Sequence, residues 1–199
     1  KIFWFVTMTL ERTLVFIDAG YLSKLSKHFG GGKYLKLDII KFAQYLSIKQ
    51  NLWCAHIFYY TAPPFQDTTP TMKDAQMRAG YDKYMSKLKR NRDLTVREGR
   101  VQNIDGQFTQ KGVDTLLTMD LAEEPSERGI NTIILLACDT DFVPILNRIR
   151  ERHKIKVILY YFMDRQRGSI FSMSNHILTA CDVPALLTSE YFTRNLLCF

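Results

Sequence analysis

Short apolar runs alternate along this chain with segments in which apolar residues recur at helical spacing. The apolar runs predict five strands and a short candidate edge strand, at residues 13–17, 53–60, 94–97, 132–137, 156–161 and 184–187. The segments between them predict helices at residues 21–27, 38–48, 72–90, 111–124, 142–152 and 170–180. Such alternation predicts an α/β fold whose mainly parallel sheet is covered by helices on both faces.

The domain organisation that the pattern favours is a single domain over residues 13–190, followed by a C-terminal tail at 191–199. Residues 1–12 are then an N-terminal extension, and Met8 is a candidate natural start that would make residues 1–7 an addition to the native chain. The apolar stretch there is too short to span a bilayer, and no small-residue cleavage site follows it. We therefore expect no membrane partner.

Composition narrows the class of protein. With 46% hydrophobic and 24% charged residues the chain should fold, and its net charge of +7 favours polyanionic partners. The four cysteines form no C-x-x-C pair, so we expect reduced thiols in a cytoplasmic protein and no disulfide framework. The four histidines are scattered, which disfavours a histidine metal site.

Aspartates stand where predicted strands end. Asp18 follows the first strand, Asp139 and Asp141 follow the strand at 132–137, and Asp114 opens a predicted helix. Right-handed crossovers start each helix at the edge where the preceding parallel strand ends, so four carboxylates from three segments are expected to converge.

Close carboxylates either take up protons or bind a cation, and an all-oxygen site suits Mg²⁺ or Mn²⁺. Such a metal would activate a water and stabilise charge on a phosphodiester. Each aspartate alone also fits a structural role: Asp141 as a helix N-cap, Asp114 as a favourable charge in a first helical turn, Asp18 in a turn. The joint pattern favours the metal site.

Four segments together resemble NYN domains of the LabA-like type, which are related to PIN-domain nucleases. They are FIDAGYL (16–22), KGVDTLLTMDL (111–121), ACDTDFVPIL (137–146) and HILTACDVPALL (176–187). The resemblance spans roughly residues 13 to 190 and implies a three-layer Rossmann-like sheet in strand order 3-2-1-4-5. It also implies a metal-dependent acidic site, RNA as the substrate, and catalytic, metal-binding roles for Asp18, Asp114, Asp139 and Asp141. The sequence departs from the family pattern at Cys138, where glycine is usual, and at Thr140, where serine is usual.

Further residues are candidates for supporting roles. Asp120, Thr140 and Lys111 lie within or beside the acidic segments. Basic residues near predicted loops or on the helix at 72–90 are candidates for binding RNA: Arg78, Lys87, Arg90, Arg97, Arg165 and Arg167. The partners expected are RNA and, as one option, a second copy of the chain in a homodimer.

The leading hypothesis is a metal-dependent ribonuclease that hydrolyses single-stranded RNA. The alternative is a regulatory or binding module that keeps the fold and the acidic edge without catalysis. A phosphatase of the haloacid-dehalogenase type ranks last, because its Asp-x-Asp belongs at the first strand, whereas Asp139-Thr140-Asp141 follows the fourth. No glycine-rich nucleotide-binding motif occurs.

Overall fold

A computed structural model of the protein describes residues 10–104, 107–164, 169, 171 and 174–197. The extension before residue 10, the turn predicted at 105–106, and the predicted RNA contacts Arg165 and Arg167 lie outside these residues. Statements about the fold below concern the described ranges.

Within those ranges the chain forms eight strands. They are β1 (Glu11–Asp18), β2 (Leu52–Thr61), β3 (Leu94–Glu98), β4 (Arg100–Ile104), β5 (Gln107–Lys111), β6 (Thr132–Leu136), β7 (Lys156–Tyr161) and β8 (Val183–Leu186). Six of them pair in parallel in the order β3-β2-β1-β6-β7-β8. The predicted order is confirmed, and the candidate edge strand extends it by one member.

Seven α-helices and a single 3-10 turn connect these strands. They are α1 (Ala19–Phe29), α2 (Ile39–Lys49), α3 (Met72–Leu88), α4 (Val113–Glu127), the 3-10 turn (Thr140–Phe142), α5 (Val143–His153), α6 (Asn175–Thr179) and α7 (Ser189–Thr193). The largest differences from the predicted helices are at α4, α6 and α7. Lys111 ends β5 instead of starting a helix, and Pro125 lies inside α4 instead of ending it. The helix predicted at 170–180 is the shorter α6, and α7 was not predicted.

The sheet lies between two layers of helices, and buried apolar side chains fill both interfaces. Along β1, Val15 and Ile17 pack on one face and Leu14 and Phe16 on the other, and all four are fully buried. The first face is covered by α1, α2, α7 and the C-terminal part of α3. The second is covered by α4, α5 and α6. The continuous apolar character of β1 and β6 follows from this double burial.

A two-stranded antiparallel hairpin, β4–β5, precedes α4 and was absent from the sequence prediction. Its strands are mostly polar, so no apolar run marked them. Gly99 joins the hairpin to β3, and its N–H donates to the carbonyl of Thr61 at 2.9 Å. A Cβ at Gly99 would lie 2.6 Å from the carbonyl oxygen of Lys111, so only glycine lets the two chain segments approach this closely.

Residues after β8 pack against the domain. Phe192 on α7 is fully buried beside Phe42 of α2. Leu196 forms an antiparallel bridge with Leu37, and the Asp38 N–H donates to the carbonyl of Asn195 at 2.9 Å. Among the described residues, no helix combines the length and the apolar character needed to cross a membrane.

Candidate metal site at an acidic edge of the sheet

The end of β1 positions Asp18. Its carboxylate caps α1 by accepting a hydrogen bond from the N–H of Gly20, with Oδ1 at 2.8 Å. The side chain is half-buried, because β1 runs through the centre of the sheet and its last residue still lies between neighbouring strands. The cap bond and the strand end fix the direction in which this carboxylate points.

Asp114 lies in the first turn of α4. The helix starts after Gly112, whose φ of 82° lies in the left-handed region that glycine adopts without strain. Its side chain is exposed, and no described residue donates a hydrogen bond to its carboxylate or forms an ion pair with it. The N-terminal position in the helix also favours a negative charge. Asp114 therefore presents an unpaired carboxylate at this edge.

Asp139 and Asp141 lie in the turn that follows β6. Oδ1 of Asp139 accepts a hydrogen bond from the N–H of Asp141 at 3.0 Å, so Asp139 is the residue that caps the 3-10 turn. Phe142 is fully buried and anchors the turn to the core. The structural role considered for Asp141, that of N-cap, thus belongs to Asp139. The carboxylate of Asp141 accepts no hydrogen bond within the described residues.

Electrostatic coupling joins these aspartates, which we call the acidic edge (Asp18, Asp114, Asp139 and Asp141). Partial loss of hydration raises the pKa of Asp114 above its ordinary value, and the charges of Asp139 and Asp141 raise it further. Burial raises the pKa of Asp18, against the lowering effect of backbone N–H donors, and the charge of Asp114 adds to the increase. Asp114 is therefore the member through which the three chain segments interact.

The donor chemistry of the acidic edge fits a hard divalent cation, because every candidate ligand atom is a carboxylate oxygen. Within the described residues, no three Asp, Glu, His or Cys side chains lie close enough together to hold a metal ion directly. Mg²⁺ is commonly held by one or two protein carboxylates and keeps several waters, so it does not require a three-ligand cluster. The four residues thus fit a largely hydrated ion that carboxylates contact directly or through water.

Asp120 belongs to a different part of the molecule. It is buried in α4 and accepts hydrogen bonds from the Tyr60 hydroxyl at 2.8 Å and from Nε and Nη2 of Arg97 at 2.8 and 3.0 Å. Arg97 also lies 3.6 Å from Glu124. Asp120 and Arg97 therefore tie α4 to β2 and β3, and we assign neither of them to the metal site or to RNA contact.

The other residues predicted to support the site or to bind RNA differ in their exposure and in their partners. Thr140 is exposed in the turn between Asp139 and Asp141, so it remains a candidate supporting residue. Lys111 is exposed at the end of β5, where its backbone pairs with Arg100. On α3, Arg78 donates to the carboxylate of Asp82 at 3.0 and 3.1 Å. Lys87, in the last turn of α3, and Arg90, just beyond that helix, are exposed, but they lie near the start of β3, at the edge of the sheet opposite to the strand ends. We therefore do not assign them to RNA contact.

The tertiary structure brings three further residues to this edge. The hydroxyl of Tyr21 accepts a hydrogen bond from the N–H of Phe162 at 2.8 Å and so ties the start of α1 to the end of β7. Oε1 of Gln110 lies 3.9 Å from the position that a Cβ of Gly20 would occupy. The charge of Lys24 lowers the pKa of both Asp18 and Cys138. Lys24 lies four residues after Gly20, on the same face of α1, and this spacing was the sequence signal that could have placed it near Asp18.

Comparisons with known proteins agree with this architecture. A protein of unknown function from Vibrio parahaemolyticus has a similar crystal structure, with a TM-score of 0.60 and 17% sequence identity over 94% of this chain and 97% of the other. At that identity the likeness concerns the fold. No curated protein sequence matches the chain. The sequence profile of the NYN domain matches residues 12–183, which include all four residues of the acidic edge. Because this match covers most of the chain, the protein belongs to the NYN domain family, which has a PIN-like nuclease fold.

Proposed function

We propose that this protein is a divalent-metal-dependent ribonuclease of the LabA-like type that hydrolyses phosphodiester bonds in single-stranded RNA. The observation that carries the proposal is that Asp18 ends β1 while Asp139 and Asp141 follow the neighbouring parallel strand β6, and that the charges of Asp139 and Asp141 raise the pKa of Asp114 at the start of α4. Carboxylates of three separate segments that repel one another cost stability, and this cost is offset when a cation binds among them. Membership of a nuclease-like family supports the same conclusion.

A bound Mg²⁺ or Mn²⁺ would lower the pKa of a water molecule and neutralise charge on the phosphodiester. The chain's own carboxylates would divide the remaining work. Asp18, fixed by its bond to Gly20, would help to hold the cation at the end of β1. Asp114 and Asp141 lack hydrogen-bond donors among the described residues, so either can accept a hydrogen bond from the attacking water.

Features outside the acidic edge support RNA as the substrate. A net charge of +7 attracts polyanions to this protein. Because the proposed active edge is acidic, Lys and Arg side chains around it would hold the nucleic-acid backbone. The ring centres of Phe65 and Phe108 lie 5.2 Å apart. Phe108 is on β5, the hairpin strand that also carries Gln110, and 64% of this residue is exposed. Exposed aromatic rings stack on unpaired bases, which favours a single strand over a duplex.

A second candidate is a binding module that holds RNA or a protein without cleaving it. The specific observation in its favour is that no three ligating side chains of the described residues already form a metal cluster. In this reading the acidic edge would be retained from catalytic relatives. The two functions differ in whether cleavage occurs and in whether it depends on a metal.

The test is cleavage of a labelled mixed-sequence single-stranded RNA with Mn²⁺ or Mg²⁺. Three comparisons accompany it: excess EDTA, the variant Asp139→Asn, and the control Asp93→Asn. Asp93 is an exposed aspartate just before β3, so the control makes the same chemical change away from the acidic edge. We expect metal-dependent cleavage that EDTA and Asp139→Asn abolish and Asp93→Asn preserves.

Other outcomes contradict the proposal. If the folded protein binds RNA but cleaves it with neither metal, the binding module is the better description. If cleavage survives Asp139→Asn, the reaction takes place elsewhere or comes from a contaminant. Circular dichroism spectra of each variant establish that a loss of cleavage is not a loss of folding.

A further inference from the structure

One face of α1 leads directly away from the acidic edge. Gly20, Lys24 and Lys27 lie at positions i, i+4 and i+7 of this helix, so they form a single stripe along it. At the start of the stripe, a Cβ on Gly20 would lie 3.1 Å from Oδ1 of Asp18. The stripe therefore begins with bare backbone beside a carboxylate of the acidic edge and continues with two lysines.

The two lysines are available to an external anion. Both are exposed, and neither forms an ion pair with a carboxylate in the described part of the chain. Side chains on a helix lean toward its N-terminus, and the N-terminus of α1 lies at the acidic edge. Lys24, one turn along α1 from Gly20, consequently leans toward the end of the helix where Gly20 adjoins Asp18.

An exposed tyrosine continues this surface. Nζ of Lys27 lies 5.8 Å from the centre of the Tyr34 ring, and 65% of Tyr34 is exposed. Lys24, Lys27, His28 and Tyr34 contribute to the lining of one open depression of about 650 Å³. Tyr34 therefore offers an aromatic face at the end of a line of positive charge.

We propose that Lys24, Lys27 and Tyr34 form a track that holds the segment of single-stranded RNA next to the bond under attack. The inference rests on the proposed function and adds a binding site to it. The lysines bind successive phosphates, and the Tyr34 ring stacks on an unpaired base. Charge complementarity and continuity with the acidic edge identify the occupant as the substrate strand itself.

The competing surface is the C-terminal end of α3, with Lys87 in its last turn and Arg90 just beyond it. This helix returns from the end of β2 toward the start of β3, and Arg90 lies four residues before Leu94, where β3 begins. In a parallel sheet the strands begin at the edge opposite to the one where they end. Lys87 and Arg90 thus lie toward the side of the molecule away from the acidic edge, and they make a matched control for the two lysines of α1.

The experiment measures the affinity of a short fluorescein-labelled single-stranded RNA by fluorescence anisotropy at several salt concentrations. Every protein carries Asp139→Asn so that the RNA stays intact. The test variant adds Lys24→Ala and Lys27→Ala, and the control adds Lys87→Ala and Arg90→Ala. We expect the test variant to raise Kd about tenfold and to reduce the slope of log K against log salt by about 1.4, since each phosphate contact contributes about 0.7 for a single strand. The control should change Kd by less than about twofold.

A third variant separates stacking from charge. Tyr34→Ala should raise Kd roughly fivefold without changing the salt slope, whereas Tyr34→Phe, which keeps the ring, should bind like the parent. All substituted side chains are exposed, and thermal melting of each variant checks that the fold is intact.

Three results would overturn the inference, and they differ in whether the proposed function fails with it. If the parent binds RNA but the lysine pair of α1 has no more effect than the pair on α3, the track is wrong and the proposed function stands. If the parent does not bind RNA at any salt concentration, the track and the proposed function fail together. Retention of the full salt slope after the double alanine change in α1 would also exclude phosphate contact by these lysines.

Discussion

Two aspartates of the same helix offer a sharp test, because the same substitution should affect them in opposite ways. Asp114 and Asp120 both lie on α4. Changing either to asparagine keeps the size of the side chain and removes one negative charge. We expect Asp120→Asn to lower the free energy of unfolding while metal-dependent cleavage is retained. We expect Asp114→Asn to abolish cleavage without any loss of stability.

The magnitude for Asp120 follows from its contacts. Asp120 is 6% exposed, and its carboxylate accepts three hydrogen bonds, one from Tyr60 and two from Arg97. An asparagine would turn a donor toward at least one of these donors. Hydrogen bonds to charged groups each contribute about 1.5–3 kcal/mol. Arg97 is partly exposed and can still approach Glu124, which recovers part of the loss. We therefore expect a loss of about 2–4 kcal/mol, or a fall in Tm of roughly 5–15 °C for a chain of this length.

The change Asp114→Asn is not expected to lower the free energy of unfolding. Folding raises the pKa of Asp114 through partial loss of hydration and the charges of Asp139 and Asp141. A raised pKa in the folded state stabilises the protein below the ordinary value of 3.8, and this contribution is lost as the pH rises through the raised pKa. At pH 7, Asp114→Asn removes the repulsion but also removes the favourable interaction of the charge with the N-terminus of α4. Because solvent screens this exposed group, we expect the free energy of unfolding to stay within about 0.5 kcal/mol of the parent value.

The assay combines urea unfolding at pH 7, followed by circular dichroism, with cleavage of labelled RNA at a temperature where both variants are folded. Three results would refute the reasoning. Asp120→Asn could prove as stable as the parent, which would deny the role of its ion pair with Arg97. Asp120→Asn could lose cleavage while it remains folded, which would return Asp120 to the metal site. Asp114→Asn could cleave normally, which would remove Asp114 from that site.

Three other predictions follow from the geometry. Binding of Mn²⁺, measured by calorimetry, should weaken as the pH falls through the raised pKa values of Asp18 and Asp114, and a midpoint at the ordinary aspartate value would contradict the raised values. Gly99→Ala should lower the free energy of unfolding by about 2 kcal/mol, because its Cβ would meet the carbonyl of Lys111; unchanged urea unfolding would show that the hairpin adapts. Burial raises the pKa of Cys138 to about 11, so iodoacetamide should alkylate its thiol at pH 7 far more slowly in the folded protein than in urea, as mass spectrometry would show.

Part of this architecture follows from local sequence alone. A run that is apolar at every position, such as Thr132–Leu136, must be buried on both faces, and alternation of such runs with amphipathic helices specifies a parallel sheet. The handedness of the crossovers then brings the ends of strands to one edge. These rules sufficed to predict a parallel sheet covered on both faces and to expect Asp18, Asp114, Asp139 and Asp141 at one edge of it. The strand order came instead from the resemblance to NYN domains, and the catalytic roles of the four aspartates are a proposal.

Only the tertiary structure decided which charged side chains find hydrogen-bond or ion-pair partners among the described residues. Asp120 is a candidate ligand by its place in the sequence, but Arg97 and Tyr60 reach it from strands distant along the chain. The hairpin escaped prediction because its strands bury little apolar surface and pair with each other. Lys24 is a candidate phosphate contact because α1 approaches Asp18 closely and because Lys24 forms no ion pair with a carboxylate of the described residues. Periodicity reports which face of an element is buried, whereas a pairing between charged groups depends on distances that arise only when the elements pack.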